Sequence, residues 1–272
     1  MAITGLTFPE LSTSSVHPMT PQQADEQLKQ LALFHVESID EHAGIAAAMI
    51  GEVAMLELGS HLNGEHENSW EYLLEKCAED HYFSLIHSLK YTVFKEELIW
   101  LDRVLPENAL IFDLGCNTGH MTALCATMRK SCRFVGYDTI DQTLKKADQI
   151  KSELGLENLS FENYDFMSLN TEPKPDGIIS LQAIGNYLDD QENIAKICNL
   201  TDTKGFIILV EAFLKEEVLK YILATFEKHG FYLSLFDKIA CGPYQEAETM
   251  PAILLERGFN SSPRIDIKTV TL

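Results

Sequence analysis

Hydrophobic positions along the chain fall into two regimes that meet at Pro106. Before it the spacing is helical. Thr20-Pro21-Gln22-Gln23 reads as a helix start: Thr20 caps, Pro21 suits the first helical position, and Gln23 completes a capping box. Leu28, Leu31, Ala32 and the Phe34–Val36 segment follow at helical spacing. Further helices are expected over about 39–58, with Ile45, Met49, Val53 and Leu56 on one face and Gly59 as a stop, then near 70–78 and from about 81 to 104. After Pro106, apolar runs of strand length alternate with helical stretches. Strands are expected at 110–114, 132–137, 159–164, 177–181, 206–210, 231–236 and 252–256, and helices at 121–128, 141–154, 191–198 and 215–228. Strands separated by helices imply an α/β fold with a doubly wound, mostly parallel seven-stranded sheet. The last two strands have no helix between them, which makes the last strand antiparallel. The Ser-, Thr- and Pro-rich residues 1–20 read as a flexible tail. An N-terminal all-helical cap or lid over 21–104 and an α/β domain over 105–272 complete the expected organisation.

Composition narrows the partners. Of 272 residues, 46% are hydrophobic, too many for a disordered chain. Lys and Arg number 21 against 41 Asp and Glu, a formal net charge of −20. That balance opposes phosphate backbones and anionic lipid, so neither nucleic acid nor a membrane surface is the expected partner. A small neutral or cationic molecule, or a basic protein segment, fits better. The apolar runs are too short to span a bilayer, and residues 1–20 do not look like an export signal. The six cysteines form no C-x-x-C pair, as expected of free thiols in a reducing cytoplasm. Oligomeric state is not legible.

The informative stretch is Asp113-Leu-Gly115-Cys116-Asn117-Thr-Gly119-His120, where a buried strand turns through two glycines into a helix. Ligands of doubly wound sheets bind at such strand ends. Gly115 permits a tight turn, Asn117 tolerates left-handed backbone, and Gly119 leaves room for a ligand or for helix packing. The dinucleotide pattern G-x-G-x-x-G fails at Asn117 and His120, and no Gly-Lys-Ser/Thr phosphate loop is present. An acid with two glycines suits a nucleoside ligand without phosphates.

This loop resembles the first motif of class I S-adenosylmethionine-dependent methyltransferases, D/E-x-G-x-G-x-G, with Asn117 in place of the middle glycine. The resemblance covers roughly 85–257. It implies that Asp113, Gly115, Cys116, Asn117 and Gly119 face the amino-acid part of the cofactor, with Asp113 helping to hold its ammonium. Asp138, at the end of the second strand, is placed to accept from both ribose hydroxyls. Asp138-Thr139-Ile140 resembles the family's second motif, with Ile140 against adenine. Asp165 and Phe166 follow the third strand as the family's adenine-contacting acid and its apolar neighbour do, and Gln182 lies at the mouth after the fourth strand.

The acceptor is less visible. Methyl transfer is an in-line displacement that needs alignment more than a catalytic triad. No Asn/Asp-Pro-Pro-Tyr/Phe motif of base methylation follows the fourth strand, which reads Gln182-Ala-Ile-Gly-Asn186-Tyr187. No metal is expected: His61, Glu65 and His66 sit in an acidic, turn-like stretch. Asn186, Tyr187 and Glu211 lie where acceptors usually enter this fold. Ser84, His87 and Tyr91 share a helical face at spacings of three and four. The candidates for catalysis are His87, Tyr187 and Glu211, and for acceptor contact Tyr91, Asn186 and Tyr187. His120 reads as a packing residue. The leading expectation is an S-adenosylmethionine-dependent methyltransferase acting on oxygen, nitrogen or carbon of a small metabolite, releasing S-adenosylhomocysteine. The alternatives are a protein or peptide methyltransferase, or a cofactor-binding protein that regulates or performs other chemistry.

Overall fold

A computed structural model of the chain describes residues 19–30, 91–211, 215–240, 249–258 and 265–271. The expected helices over 39–58 and 70–78, the 81–90 start of the next one, and Ser84, His87, His61, Glu65 and His66 lie outside these described residues, as does the tail through residue 18.

The first helix, α1 (Pro21–Gln30), begins with the expected reciprocal cap. Thr20 N donates to Gln23 Oε1 at 2.8 Å, and Gln23 N donates to Thr20 Oγ1 at 3.2 Å. Its Ala24 and Leu28 are buried against α2 (Tyr91–Val104), and Lys95 pairs with Asp25 at 2.9 Å. The helix α2 is fastened to the rest of the fold along its length. Phe94, Leu98 and Leu101 join the core, Trp100 Nε1 donates to Asp237 Oδ2 at 3.1 Å, and Asp102 Oδ1 pairs with Arg129 Nη1 at 2.9 Å.

Alternating units follow: β1 (Leu110–Leu114), α3 (His120–Met128), β2 (Arg133–Asp138), α4 (Asp141–Leu154), β3 (Leu159–Asn163), β4 (Gly177–Leu181), α5 (Gln191–Leu200), β5 (Phe206–Val210), α6 (Glu216–Lys228), β6 (Phe231–Ala240) and β7 (Thr249–Arg257). The strands form one seven-stranded sheet in the order β3-β2-β1-β4-β5-β7-β6. The first five are parallel, and β7 runs antiparallel to both β5 and β6. Adjacent side chains take opposite faces, as pleating requires. Ile111, Ile179 and Ile208 enter the core shared with α2 and α3, while Phe112, Ile178 and Ile207 enter the core shared with α5 and α6. Cover on both faces explains why the parallel strands read as continuous apolar runs.

The largest departures from the expected boundaries are at the last two strands. The sixth continues to Ala240 and the seventh begins at Thr249. Pairing shifts between Leu233 and Leu235, which breaks the period-two pattern. Polar Asp237 and Lys238 also belong to the strand, because β6 is an edge and Asp237 serves Trp100 and Arg103.

Candidate functional site

The C-terminal ends of β1, β2, β3 and β4 lie side by side, and the strand order reverses between β1 and β4. Such a reversal opens a crevice in doubly wound sheets. The glycine loop crosses this edge. The amides of Gly115 and Cys116 both donate to Tyr137 O, at 2.9 and 3.0 Å, which ties the loop to β2. Gly115, Asn117 and Gly119 all have positive φ, at 75°, 50° and 67°. Asparagine is among the few residues that accept this region. A Cβ on Gly115 would lie 2.5 Å from Ala183 Cβ; one on Gly119 would lie 2.4 Å from the Phe161 ring and 2.7 Å from Ala147 Cβ. Of the two roles open to Gly119, packing of α3 and α4 is the one seen.

Asp113 is 3% exposed and accepts from Thr122 Oγ1 in the first turn of α3. Burial pushes its carboxyl up to about 7; the Thr122 hydrogen bond opposes this and the charge of Asp138 adds to it. Cys116 is buried beside it, its thiol pushed far up by burial and then by the same two carboxylates.

Asp138 bridges two segments. Its Oδ2 accepts from Asn117 N at 2.8 Å and its Oδ1 from Ile140 N at 3.1 Å. Thr139 is exposed and half-buried Ile140 leads into α4. Beyond β3, Asp165 Oδ1 accepts from Met167 N at 2.9 Å and caps a short turn over Phe166–Ser168. Buried Phe166 meets the Tyr187 ring edge to face, with centroids 5.3 Å apart. Tyr187 is 42% exposed, in the turn Gly185–Tyr187 that also carries Asn186.

At the end of β4, Gln182 adopts φ 57° and its Nε2 donates to Glu97 Oε1 of α2 at 2.8 Å. Glu211 supports this turn from beneath. Its Oε1 accepts from Ile184 N at 2.9 Å, Ala183 N at 3.0 Å and Ser180 Oγ at 3.2 Å. The side chain is buried, and burial lifts its carboxyl to about 7 against those hydrogen bonds. Glu211 therefore holds the turn rather than facing its mouth. His120 opens α3 against Phe94, ring centroids 4.5 Å apart, and Tyr91 opens α2. Among the described residues no His, Cys, Asp and Glu groups form a metal cluster, and no helix is long and apolar enough to cross a membrane.

The structure thus brings the glycine loop, Asp138, Asp165, Phe166 and Gln182 to one edge of the sheet, offering acceptors and apolar surface. Glu97 is the residue that sequence reasoning missed. It stands three positions after Phe94 and four before Leu101, on the apolar face of α2, and an acid at a core position is the signal that marks it.

A sequence profile of the family described as "Methyltransferase domain" matches residues 106–252, over half of the chain. The chain belongs to the class I S-adenosylmethionine-dependent methyltransferases. Carboxy-S-adenosyl-L-methionine synthases of Campylobacter jejuni subsp. doylei and of C. jejuni strain RM1221 are 26% and 25% identical to this methyltransferase over 148 residues. The match covers 48% of this chain and only 58% of those relatives. Magnesium protoporphyrin IX methyltransferase from Synechocystis PCC 6803, solved with bound S-adenosylmethionine, aligns with a TM-score of 0.51 at 21% identity, over 64% of this chain and 82% of that one. A chain from the complex of the Haloferax volcanii Trm112 methyltransferase activator with its methyltransferase aligns with a TM-score of 0.55 at 16% identity, over 68% and 98%. These neighbours share the fold. The family's cofactor is S-adenosylmethionine. Glu97 and the whole of α2 precede the matched segment.

Proposed function

We propose that this methyltransferase transfers the methyl group of S-adenosylmethionine to a small-molecule acceptor and releases S-adenosylhomocysteine. The observation that carries the reading is Asp138, whose carboxylate fixes the glycine loop through Asn117 N and still has lone pairs to offer ribose hydroxyls. Adjacent strand ends supply the rest of the pocket. Asp165 accepts from the adenine amino group, Ile140 and Phe166 flank the base, and Gly115, Cys116, Asn117 and Gly119 present the loop to the amino-acid part. The acids suit an uncharged ribose and a cationic tail, and oppose a ligand rich in phosphate.

The cofactor supplies a sulfonium, already a good leaving group. The chain's work is alignment and exclusion of water. Gln182 and the Gly185–Tyr187 turn form the rim where an acceptor enters, with Asn186 and Tyr187 in reach of it. Glu211 acts by holding that turn. The helical region over 21–104, with Tyr91 and His87, forms the acceptor wall, as a cap or lid. The net charge of −20 favours a cytoplasmic enzyme of small metabolites over one acting on nucleic acid.

A second reading has one observation in its favour. The curated relatives are named carboxy-S-adenosyl-L-methionine synthases, so the bound cofactor is itself a candidate substrate.

Calorimetric titration with S-adenosylmethionine, S-adenosylhomocysteine and NAD tests the site. Both sulfur ligands should bind and NAD should not. Asp138→Ala should weaken binding by about 1–3 kcal/mol, roughly tenfold to a hundredfold. Unchanged affinity in the variant would remove Asp138 from the ribose site. Mass spectrometry of turnover mixtures then separates a methylated acceptor with S-adenosylhomocysteine from a carboxylated cofactor.

A further inference from the structure

Glu97 has no exposed surface (0%), and a carboxylate is retained in such a place only where firm hydrogen bonds or a cation meet it. Its position is well defined. Gln182 Nε2 donates to its Oε1 at 2.8 Å, joining residues 85 apart in sequence. Ala183, next to Gln182, presses on Gly115; Phe94, one turn before Glu97, packs on His120 at the start of α3. Glu97 therefore stands between the end of β4 and the helix that leaves the glycine loop, at the crevice between β1 and β4. The helix that carries it is held by the Arg129–Asp102 ion pair and by Trp100 on Asp237, so this carboxylate is part of a fixed wall.

The strand order gives the position a meaning. Asp165 and Asp138 serve the nucleoside at the ends of β3 and β2, so the ligand's amino-acid tail runs over β1 toward β4. We infer that Glu97, together with the Gln182 amide, recognises the cationic amino-acid end of the cofactor. This rests on the S-adenosylmethionine reading of the site. A carboxylate only accepts, so Gln182 turns its Nε2 to Glu97 and keeps its Oε1 as a second acceptor for an ammonium. The acid that the family pattern assigns to that ammonium, Asp113, is committed to Thr122 beneath the loop. Burial also lifts its carboxyl to about 7, which reduces its charge at neutral pH. An acid from α2, outside the segment that matches the family, takes over the tail.

The test compares three ligands by calorimetry: S-adenosylmethionine, S-adenosylhomocysteine, and 5′-methylthioadenosine, which lacks the amino-acid end. Wild-type protein should bind S-adenosylhomocysteine more tightly than methylthioadenosine. Glu97→Gln should weaken both amino-acid-bearing ligands about tenfold or more and leave methylthioadenosine within about twofold. Glu97→Asp should recover part of the loss. Gln182→Met should show the same selectivity and serves if Glu97→Gln does not fold. Equal loss for all three ligands would make Glu97 a structural residue and overturn the inference, as would no loss. Wild-type protein that binds S-adenosylhomocysteine and methylthioadenosine equally would also overturn it, with the cofactor reading intact. Wild-type protein that binds none of the three would overturn that reading itself.

Discussion

Alanine at Gly119 and at Gly155 separates two costs that usually arrive together. Both glycines have left-handed backbone of nearly the same φ, 67° and 61°. A side chain at either pays the same conformational strain, about 1–2 kcal/mol. Their surroundings differ. A Cβ on Gly155 meets nothing within 4 Å, while one on Gly119 lies 2.4 Å from the Phe161 ring and 2.7 Å from Ala147 Cβ. Phe161 has little room to withdraw, since a Cβ on Gly136 would stand 2.6 Å from the same ring. Overpacking of this kind adds about 1–3 kcal/mol. Gly155→Ala should therefore lower the thermal midpoint by about 2–8 °C, and Gly119→Ala by about 4–20 °C, at roughly 2–4 °C per kcal/mol for a chain of this size. The assay is thermal unfolding followed by circular dichroism under one buffer. Trimming the ring with Phe161→Leu should recover part of the Gly119→Ala loss and none of the Gly155→Ala loss. Equal losses at the two glycines, or no recovery, would refute the packing account and return Gly119 to a purely ligand-facing role.

Two further predictions concern buried charge. The folded state raises the Asp113 carboxyl from 3.8 to about 7, so between those values the folded chain holds a proton that the unfolded chain has released, and stability falls as pH rises through that window. Asp113→Asn cannot ionise, so its urea midpoint should gain on wild type between about pH 4 and 7 and hold a constant difference above; Glu211, shifted the same way and present in both proteins, cancels. A difference independent of pH would contradict the assignment. Arg129→Met leaves buried Asp102 without its partner and should cost about 3–5 kcal/mol, read as a lower urea midpoint, with Arg129→Met/Asp102→Leu recovering much of it.

The α/β half was legible because its signals are local. A strand buried on both faces reads as an apolar run, and β1, α4, β4 and β5 begin and end at the expected residues. The glycine loop was legible because positive φ restricts the residue types that can occupy it. Glu97 and the support given by Glu211 were harder to see, because partners distant in the chain make them. Lys95-Glu96-Glu97 looks like a solvated helix face until Phe94, Leu98 and Leu101 fix which side is buried. Glu211 follows a strand like any loop acid, and only the folded turn shows three donors converging on its Oε1. Edge strand β6 was cut short because its polar residues bind α2 rather than alternate with a core. Tyr91 and Asn186 were marked by their place after recognisable elements, and His87 lies outside the described residues.

The insertion of β7 between β5 and β6 has a consequence for the order in which the chain becomes safe. The strand Phe206–Val210 is apolar at every position, and β7 covers one of its edges. During synthesis that edge waits for Thr249–Arg257, which emerges after α6 and β6 are already made. A chain released or stalled before residue 249 presents an unpaired, uncharged strand edge, the geometry that templates intermolecular pairing. Protection from aggregation thus depends on the last strand of the sheet, far in sequence from the loop that binds the cofactor.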